Sequence, residues 1–350
     1  MLTKIFQFYL FRTDPELAHK LAIKFIKSPL IKINFKPNKS FKNLQQKIFN
    51  INFDNPLGLA AGFDKNAEIY NQVFKLGFGF TEVGTITPKA QEGNPKPRVF
   101  RLEEDKAIIN RLGFPNDGMS IISKRIKNEP STGICGVNIG PNKENATSIN
   151  DYILCFDKFF ELASYITINI SSPNTPNLRS QHDENKITHL IDSIQERRDI
   201  KKSRIPILLK ISPDIDDKKI SNLCNILIKK EIDGIILTNT TIQNKSNLLN
   251  KSKFEEGGLS GEPLNNLSNE VIKKFYSLLG KDIPIIGVGG VCCGATAFEK
   301  IKSGASLLQL YTSLVYEGPN VAKKINQELS ELVKKNGYKN ISQAIGTNCN

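Results

Sequence analysis

Side chains able to do chemistry stand directly after short apolar runs at several places along this 350-residue chain. Lys210 ends one such run, where an ammonium group is costly to bury without an anionic partner. A lysine in that position can stabilise negative charge that develops on a bound group during a reaction. Lys65 follows an earlier run, in a glycine-containing loop, and is suited to holding a carboxylate. The two lysines therefore predict an anionic ligand and a reaction that generates negative charge.

Glycines and hydroxyls mark the ends of two later apolar runs. Gly289-Gly290 ends one run, and Tyr311-Thr312 ends the next. Backbone N–H groups exposed by glycine beside a helix start bind anions, and α/β barrels commonly hold phosphate at these positions. A tight turn would use the same glycines, but their place after the seventh run favours a phosphate group.

Histidines are too few for the commonest kind of base chemistry. The chain has three, His19, His182 and His189, and no spacing of these or of the six cysteines resembles a metal-binding set. No metal is therefore expected, and an organic cofactor must carry the difficult step. Lys210 is suited to a flavin, because a flavin becomes negatively charged on reduction.

Eight apolar, β-rich runs alternate with helix-compatible stretches from residue 55 onward. This alternation predicts a (β/α)8 TIM barrel rather than a doubly wound sheet. The active sites of such barrels lie on loops at the C-terminal ends of the strands, where the polar side chains above are found. The predicted strands are Pro56–Ala60, Phe80–Val83, Ile134–Ile139, Tyr165–Ile170, Ile205–Ile211, Gly234–Thr238, Pro284–Val288 and Ala305–Leu310. The predicted helices include Ala67–Leu76, Asp151–Ala163, Asp216–Lys230 and Asn269–Leu279.

The N-terminal segment is strongly basic. Residues 1–50 carry ten Lys or Arg and two acidic residues, a net charge of +8 of the +13 for the whole chain. Asp14-Pro15 predicts the start of an amphipathic helix, a shorter one is expected at 5–10, and residues 36–47 read as a polar linker. Neither helix is long enough to span a bilayer, and the pattern suits a membrane interface. Packing on the barrel, nucleic-acid binding and simple solubility remain alternatives. The predicted apolar stripe is Leu17, Ala18, Leu21, Ala22, Phe25 and Ile26.

Eight motifs, taken in order, resemble those of dihydroorotate dehydrogenase, and the resemblance covers nearly the whole chain. They are NPLGLAAGFDK at 55–65, GNPKPR at 93–98, NRLGF at 110–114, NISSPNTP at 169–176, TNTT at 238–241, GGLSG at 257–261, IGVGG at 286–290 and GAS at 304–306.

The resemblance implies one non-covalent FMN per chain beside a dihydroorotate site. The amides of the implied substrate site suit a ring that carries imide and amide groups. The implied FMN contacts are Ala61, Gly62, Phe63, Asp64, Lys65, Thr85, Asn138, Asn169, Lys210, Thr238, Gly261, Gly290, Tyr311 and Thr312. The implied substrate contacts are Lys65, Asn110, Arg111, Leu112, Gly113, Phe114, Asn169, Asn174, Asn239 and Thr240.

Two features indicate the membrane-associated, quinone-reducing class of that family. Ser172 stands where the family's soluble members use a cysteine base, and the N-terminal extension is one that those members lack. The class implies oxidation of (S)-dihydroorotate to orotate for pyrimidine biosynthesis, with Ser172 as the base and a quinone as the terminal electron acceptor. Residues 1–40 would form the mouth of a quinone tunnel lined by His19, Arg101 and Tyr311, and residues 41–350 the FMN-binding barrel.

The expected setting is the cytoplasmic face of a bacterial inner membrane. The absence of a recognisable presequence favours that surface over a mitochondrial precursor, and the protein is expected to be a monomer on anionic lipid that binds no nucleic acid. An FMN-dependent tRNA-dihydrouridine synthase would explain the basic charge through RNA, but its catalytic cysteine and RNA-binding appendage have no counterpart that we can place. A non-enzymatic flavoprotein of the membrane surface is the other alternative.

Overall fold

The computed structural model describes residues 9–28, 40–171, 184–243 and 245–349. Its strands, in chain order, are β1 (Gln46–Ile48), β2 (Ile51–Phe53), β3 (Leu57–Leu59), β4 (Phe80–Ile86), β5 (Val99–Leu102), β6 (Ala107–Asn110), β7 (Ile134–Ile139), β8 (Tyr165–Asn169), β9 (Ile207–Ile211), β10 (Gly234–Leu237), β11 (Gly258–Gly261), β12 (Ile285–Val288) and β13 (Leu307–Leu310). Its α-helices are α1 (Pro15–Lys27), α2 (Met119–Asn128), α3 (Ile149–Phe159), α4 (Glu184–Ile200), α5 (Asp217–Lys229), α6 (Asn265–Leu279), α7 (Gly294–Lys302), α8 (Thr312–Glu317) and α9 (Val321–Lys335).

Eight parallel strands close into a barrel in the order β3, β4, β7, β8, β9, β10, β12 and β13, with β13 pairing back to β3. All eight are buried along their whole length or all but one residue, because helices cover the outside and side chains fill the inside. All eight predicted strands are present, so the prediction of a (β/α)8 barrel is confirmed.

Aromatic side chains and a short hairpin close the N-terminal end of the barrel. Phe80 packs edge-to-face on Phe53 of β2, with ring centroids 5.3 Å apart, and its other neighbour is Tyr165 at 6.5 Å. Gly136 makes room for the tyrosine, because a Cβ there would lie 2.1 Å from its ring. The barrel interior is therefore solid at this end and can hold a ligand only at the other.

The hairpin of β1 and β2 also corrects the predicted linker at residues 36–47. In the described part of that range, Leu44 is fully buried in a 3-10 turn and Gln46 begins β1. The Gln46 amide donates to the carbonyl of Ser306 (2.8 Å), so long-range contacts hold a segment whose composition resembles a linker.

The helix predicted over 67–76 is wrong. Only Val73–Leu76 is helical, as a 3-10 turn, and Ala67 has a φ of 53°, which lies outside the right-handed helical region. The carboxylate of Asp64 accepts the backbone N–H groups of Glu68 (2.7 Å) and Ile69 (2.9 Å). A side chain therefore satisfies donors that a helix would satisfy with carbonyls. The other three predicted helices are confirmed as α3, α5 and α6, with shifted ends.

Helix α1 begins as its sequence predicts. The Asp14 carboxylate accepts the N–H groups of Glu16 (3.1 Å) and Leu17 (2.9 Å), and Pro15 is the first helical residue. The buried residues are Ala18, Ile23 and Ile26, whereas Leu17, predicted on the apolar stripe, is 49% exposed. The helix therefore packs one edge of its stripe on the protein and turns the other outward. No helix within the described ranges is long and apolar enough to cross a bilayer.

Candidate active site

One pocket lies at the C-terminal end of the barrel, beneath a roof made by β5, β6 and β11. It encloses about 1180 Å³ of space, counting its opening to solvent. The predicted site residues that line it are Ala61, Gly62, Lys65, Thr85, Asn110, Leu112, Gly113, Phe114, Asn169, Lys210, Thr238, Asn239, Thr240, Gly261, Gly290, Tyr311 and Thr312.

A chain of hydrogen bonds joins the polar ends of three neighbouring strands and the loop that follows β10. The Thr85 hydroxyl donates to Asn138 (2.7 Å) and accepts from the Asn169 amide (2.9 Å). The Asn169 oxygen accepts from the Ser171 hydroxyl (3.1 Å), which in turn accepts from the Asn239 amide (2.9 Å). The Asn169 and Asn239 amides are therefore each held in one orientation at the pocket wall, as recognition of a planar polar ring requires.

Lys210 reaches the pocket from β9. It is only 5% exposed, and within the described residues it has no hydrogen-bond or salt-bridge partner. Burial lowers the pKa of Lys210, and the nearby Glu82 carboxylate partly opposes that change. Its amino group therefore has unused capacity to donate to an anionic ligand, which would in turn favour the charged form.

Lys65 lies on the same wall, in the loop after β3. Burial lowers its pKa to about 8, against the opposing influence of the Glu16 and Asp64 carboxylates. It is therefore mostly protonated at neutral pH and offers a positive charge to a carboxylate within the pocket.

Glycines at the end of β12 expose successive backbone donors. Gly289 and Gly290 have φ of 116° and 70°, and within the described part of the chain no acceptor meets the N–H groups of Gly289, Gly290 or Val291. The hydroxyl of Thr312, at the start of α8, also lines the pocket and shares a hydrogen bond with Ser260 (2.8 Å). This group of donors suits an anion such as phosphate. Packing also requires Gly290, because a Cβ there would lie 2.4 Å from Asn265.

The loop 110–114 forms another wall and is supported by the conspicuous run 93–98. Asn94 donates its backbone N–H to Leu112 (2.9 Å) and its side-chain amide to the carbonyl of Arg111 (2.9 Å). Arg98 donates to the carbonyls of Glu92 (2.6 Å) and Asn94 (2.7 Å). The run 93–98 therefore shapes the wall without lining the pocket.

Four of the described residues predicted to contact FMN or substrate lie outside the pocket lining. Phe63 and Asn138 are buried behind it, and Asp64 caps the loop described above. Arg111 donates to Glu255 (2.9 Å) and packs over the ring of Phe100. Ser172 and Asn174 lie outside the described residues, so their predicted roles stay predictions.

Aromatic rings connect α1 to the pocket. His19 packs edge-on against Phe63 (4.9 Å between centroids), and Phe63 packs in the same way on Tyr311 (5.3 Å), which lines the pocket. Burial lowers the pKa of His19 to about 3, and the positive charge of Lys65 adds to that effect. His19 is therefore neutral at physiological pH, and it adds no charge to the row of rings formed by His19, Phe63 and Tyr311.

Two arginines attach the N-terminal segment to the roof. Arg101 donates to the carbonyls of Leu10 (2.9 Å), Phe11 (3.1 Å) and Thr13 (2.6 Å). Arg98 forms a salt bridge with Glu16 (2.8 Å). Arg101, predicted to lie along a tunnel, thus holds backbone carbonyls of the N-terminal segment.

Two buried polar residues of the barrel were missed by the sequence analysis. Gln309 of β13 lines the pocket, and Glu82 of β4 lies beneath it, fully buried. Each is the one charged or amide side chain in its strand, FTEVGTI and LLQL, and that signal could have identified them.

Comparison with known proteins gives a consistent result. The family model described as dihydroorotate dehydrogenase matches residues 43–333. A Bartonella tribocorum protein named dihydroorotate dehydrogenase (quinone) is 47% identical over 95% of this chain and 92% of its own length. The protein of the same name from Christiangramia forsetii is 45% identical over 92% of this chain and 96% of its own. A crystal structure of DHODH from Eimeria tenella, in complex with ferulenol, superposes with a TM-score of 0.92 at 35% identity, covering 96% of both chains.

Proposed function

The chain belongs to the dihydroorotate dehydrogenase family, and we propose that it oxidises (S)-dihydroorotate to orotate in pyrimidine biosynthesis, with FMN as the hydride acceptor and a quinone as the terminal electron acceptor. The observation that carries this proposal is a single pocket in which a buried lysine and a row of backbone N–H groups, all without partners among the described residues, meet a set of oriented amides. Relatives that share this chain's length carry the same quinone-dependent name.

The described residues fit a bound FMN. The Thr238 hydroxyl and the side-chain amide oxygen of Gln309 are buried in the pocket wall without a partner among the described residues. This is expected where a bound ligand supplies the missing hydrogen bonds. The N–H groups of Gly289 and Gly290 would hold the phosphate, and Lys210 would face the part of the ring that gains charge. Bound FMN would supply a hydride acceptor for dihydroorotate and an electron donor for a quinone.

Dihydroorotate is proposed to lie between Lys65 and the loop 110–114. Lys65 would hold its carboxylate, and the amides of Asn110, Asn169 and Asn239 would hold the polar edge of its ring. Ser172 is proposed to take the proton from C5. A serine hydroxyl is a weak base, so it needs a relay partner and a site closed to bulk water.

The quinone is proposed to approach between α1 and the barrel, along the path of His19, Phe63 and Tyr311. The low pKa of the histidine favours this route, since an apolar quinone would pass a neutral ring there. Arg101 would keep the entrance in shape through its bonds to the N-terminal segment.

The N-terminal segment is proposed to rest on an anionic lipid surface, as a peripheral contact at the cytoplasmic face of a bacterial inner membrane. Exposed Tyr9 (63%) and Leu17 (49%) would enter the interface, while exposed Lys20, Lys24 and Lys27 would face the headgroups. We propose that the protein works there as a monomer and without nucleic acid, residues 1–40 serving as the lipid and quinone segment.

Flavin spectroscopy tests the proposal directly. Dihydroorotate added to the purified protein without oxygen should bleach the absorbance of bound flavin, and a quinone should then restore it. Fumarate and NAD⁺ in place of the quinone serve as controls and should leave the flavin bleached. Protein without FMN, or flavin that dihydroorotate does not bleach, would refute the function. Recovery with NAD⁺ or fumarate but not with quinone would refute only the acceptor.

A further inference from the structure

Glu82 is a fully buried carboxylate inside the barrel, directly beneath the pocket. Four donors from three other strands converge on it, one of them from Gln309 in the pocket wall. They are the side-chain amides of Asn138 (2.8 Å) and Gln309 (3.0 Å) and the hydroxyls of Tyr165 (3.1 Å) and Thr167 (3.2 Å). An ionised carboxylate only accepts hydrogen bonds, so every group that contacts it must present a donor.

That constraint orients two amides at once. Because the nitrogen of Asn138 faces Glu82, its oxygen faces the Thr85 hydroxyl (2.7 Å), which leaves the Thr85 oxygen to accept from Asn169 (2.9 Å). Because the nitrogen of Gln309 faces Glu82, its oxygen is the buried acceptor that has no partner in the described part of the chain.

We infer that Glu82 is a positioning residue for the cofactor: it orients the Asn138 and Gln309 amides so that the pocket presents an acceptor at Gln309 and a correctly directed Thr85–Asn169 pair to FMN. The inference rests on the function proposed above and adds a residue that does not itself line the pocket. Glu82 is also the carboxylate whose charge acts on Lys210, so it links the amides to the cation of the same wall.

Substitution Glu82→Gln tests the inference because it preserves shape and removes the second acceptor oxygen. One oxygen of Glu82 serves Asn138, and the other serves Gln309. With glutamine at position 82, the amide nitrogen of the new side chain would face the amide nitrogen of either Asn138 or Gln309. That second amide would have to flip so that its oxygen accepts instead. Turning Gln309 presents a donor to the pocket, and turning Asn138 breaks the Thr85 bond. Either change should weaken FMN binding about tenfold, since one misdirected buried hydrogen bond costs roughly that factor.

Thr167→Val is the matched control. It removes one donor to the same carboxylate at a fully buried position, leaves the Asn138 and Gln309 bonds in place, and does not touch the pocket lining. It should lower thermal stability by about as much as Glu82→Gln while keeping FMN affinity within about twofold of wild type. Should Glu82→Gln fail to fold, Gln309→Met takes its place. It removes the Gln309 oxygen that Glu82 orients toward the pocket, and it should also weaken FMN binding about tenfold.

The flavin midpoint potential, measured at pH 6, gives a readout that a purely structural role would not change. Removing the buried negative charge should favour the reduced, more negative flavin over the oxidised form by about tenfold, or about 30 mV for a two-electron couple. Unchanged FMN affinity and potential in Glu82→Gln, or unchanged affinity in Gln309→Met, would overturn the inference alone. Wild-type protein that retains no FMN would overturn the proposed function together with it.

Discussion

Replacing Lys210 with methionine should separate catalysis from stability, because the two effects have opposite signs. The side chain is 5% exposed, and the described residues give it no hydrogen-bond or salt-bridge partner. Solvent therefore screens its charge little, and the loss falls in the range for one preorganised electrostatic contact, about 100- to 1000-fold in the rate of flavin reduction. Methionine nearly matches the length of lysine, so the pocket should keep its shape.

The ligand-free Lys210→Met protein should be at least as stable as wild type. Burial lowers the pKa of Lys210, which means that folding disfavours its charged form. That penalty is complete below the pKa of the folded state and fades as pH rises toward the unfolded value. The free energy of unfolding of wild type should therefore increase as the pH rises in the alkaline range. The variant should lack this increase.

Rapid mixing of the FMN-loaded proteins with dihydroorotate, without oxygen, measures the rate directly, and thermal unfolding of the ligand-free proteins measures stability. In wild type the rate should fall at a pH below the ordinary pKa of lysine, 10.4, because Lys210 loses its proton early. Wild-type rates in Lys210→Met, at equal FMN content, would refute the role of the lysine. A large loss of stability would instead refute the description of its charge as unpartnered.

Three other predictions address the remaining proposals. Ser172→Ala should bind FMN and orotate nearly as wild type does, but dihydroorotate should bleach its flavin about 100-fold more slowly. Ser172→Cys should retain more activity with a shifted pH dependence. A wild-type rate of bleaching in the alanine variant would reject Ser172 as the base. Lys65→Met should raise the KM for dihydroorotate about 10- to 100-fold, which is the scale of a charge-assisted hydrogen bond. In wild type, the KM should rise above pH 8 as the ammonium group of Lys65 deprotonates. A wild-type KM that stays constant to pH 9 would count against Lys65. Leu17→Glu should weaken binding to anionic vesicles in flotation assays and slow turnover with long-tailed quinones. The control Ile121→Glu, at a position that is about equally exposed, should do neither. Identical losses in both variants would argue against a membrane role for α1.

The sequence by itself determined the barrel and the end of it that carries the site. Its strands are short apolar runs bounded by turn residues and helical stretches, and that pattern is local enough to read without a structure. Because the strands are parallel, their C-terminal ends must meet at one end of the barrel, which brings Lys65, Asn169 and Lys210 together although they are far apart in the chain.

Only the tertiary structure decided how neighbouring polar residues divide their roles. Lys65 lines the pocket while the adjacent Asp64 caps its own loop, because the left-handed turn at Ala67 brings two backbone donors to that carboxylate. Leu17 belongs to an apolar stripe by its spacing, yet it is exposed, because α1 contacts the protein along one edge of that stripe. Glu82 and Gln309 are 227 positions apart, and closure of the barrel is what places the amide on the carboxylate. Hydrogen bonds over such separations depend on side-chain direction within a packed interior, which periodicity does not encode.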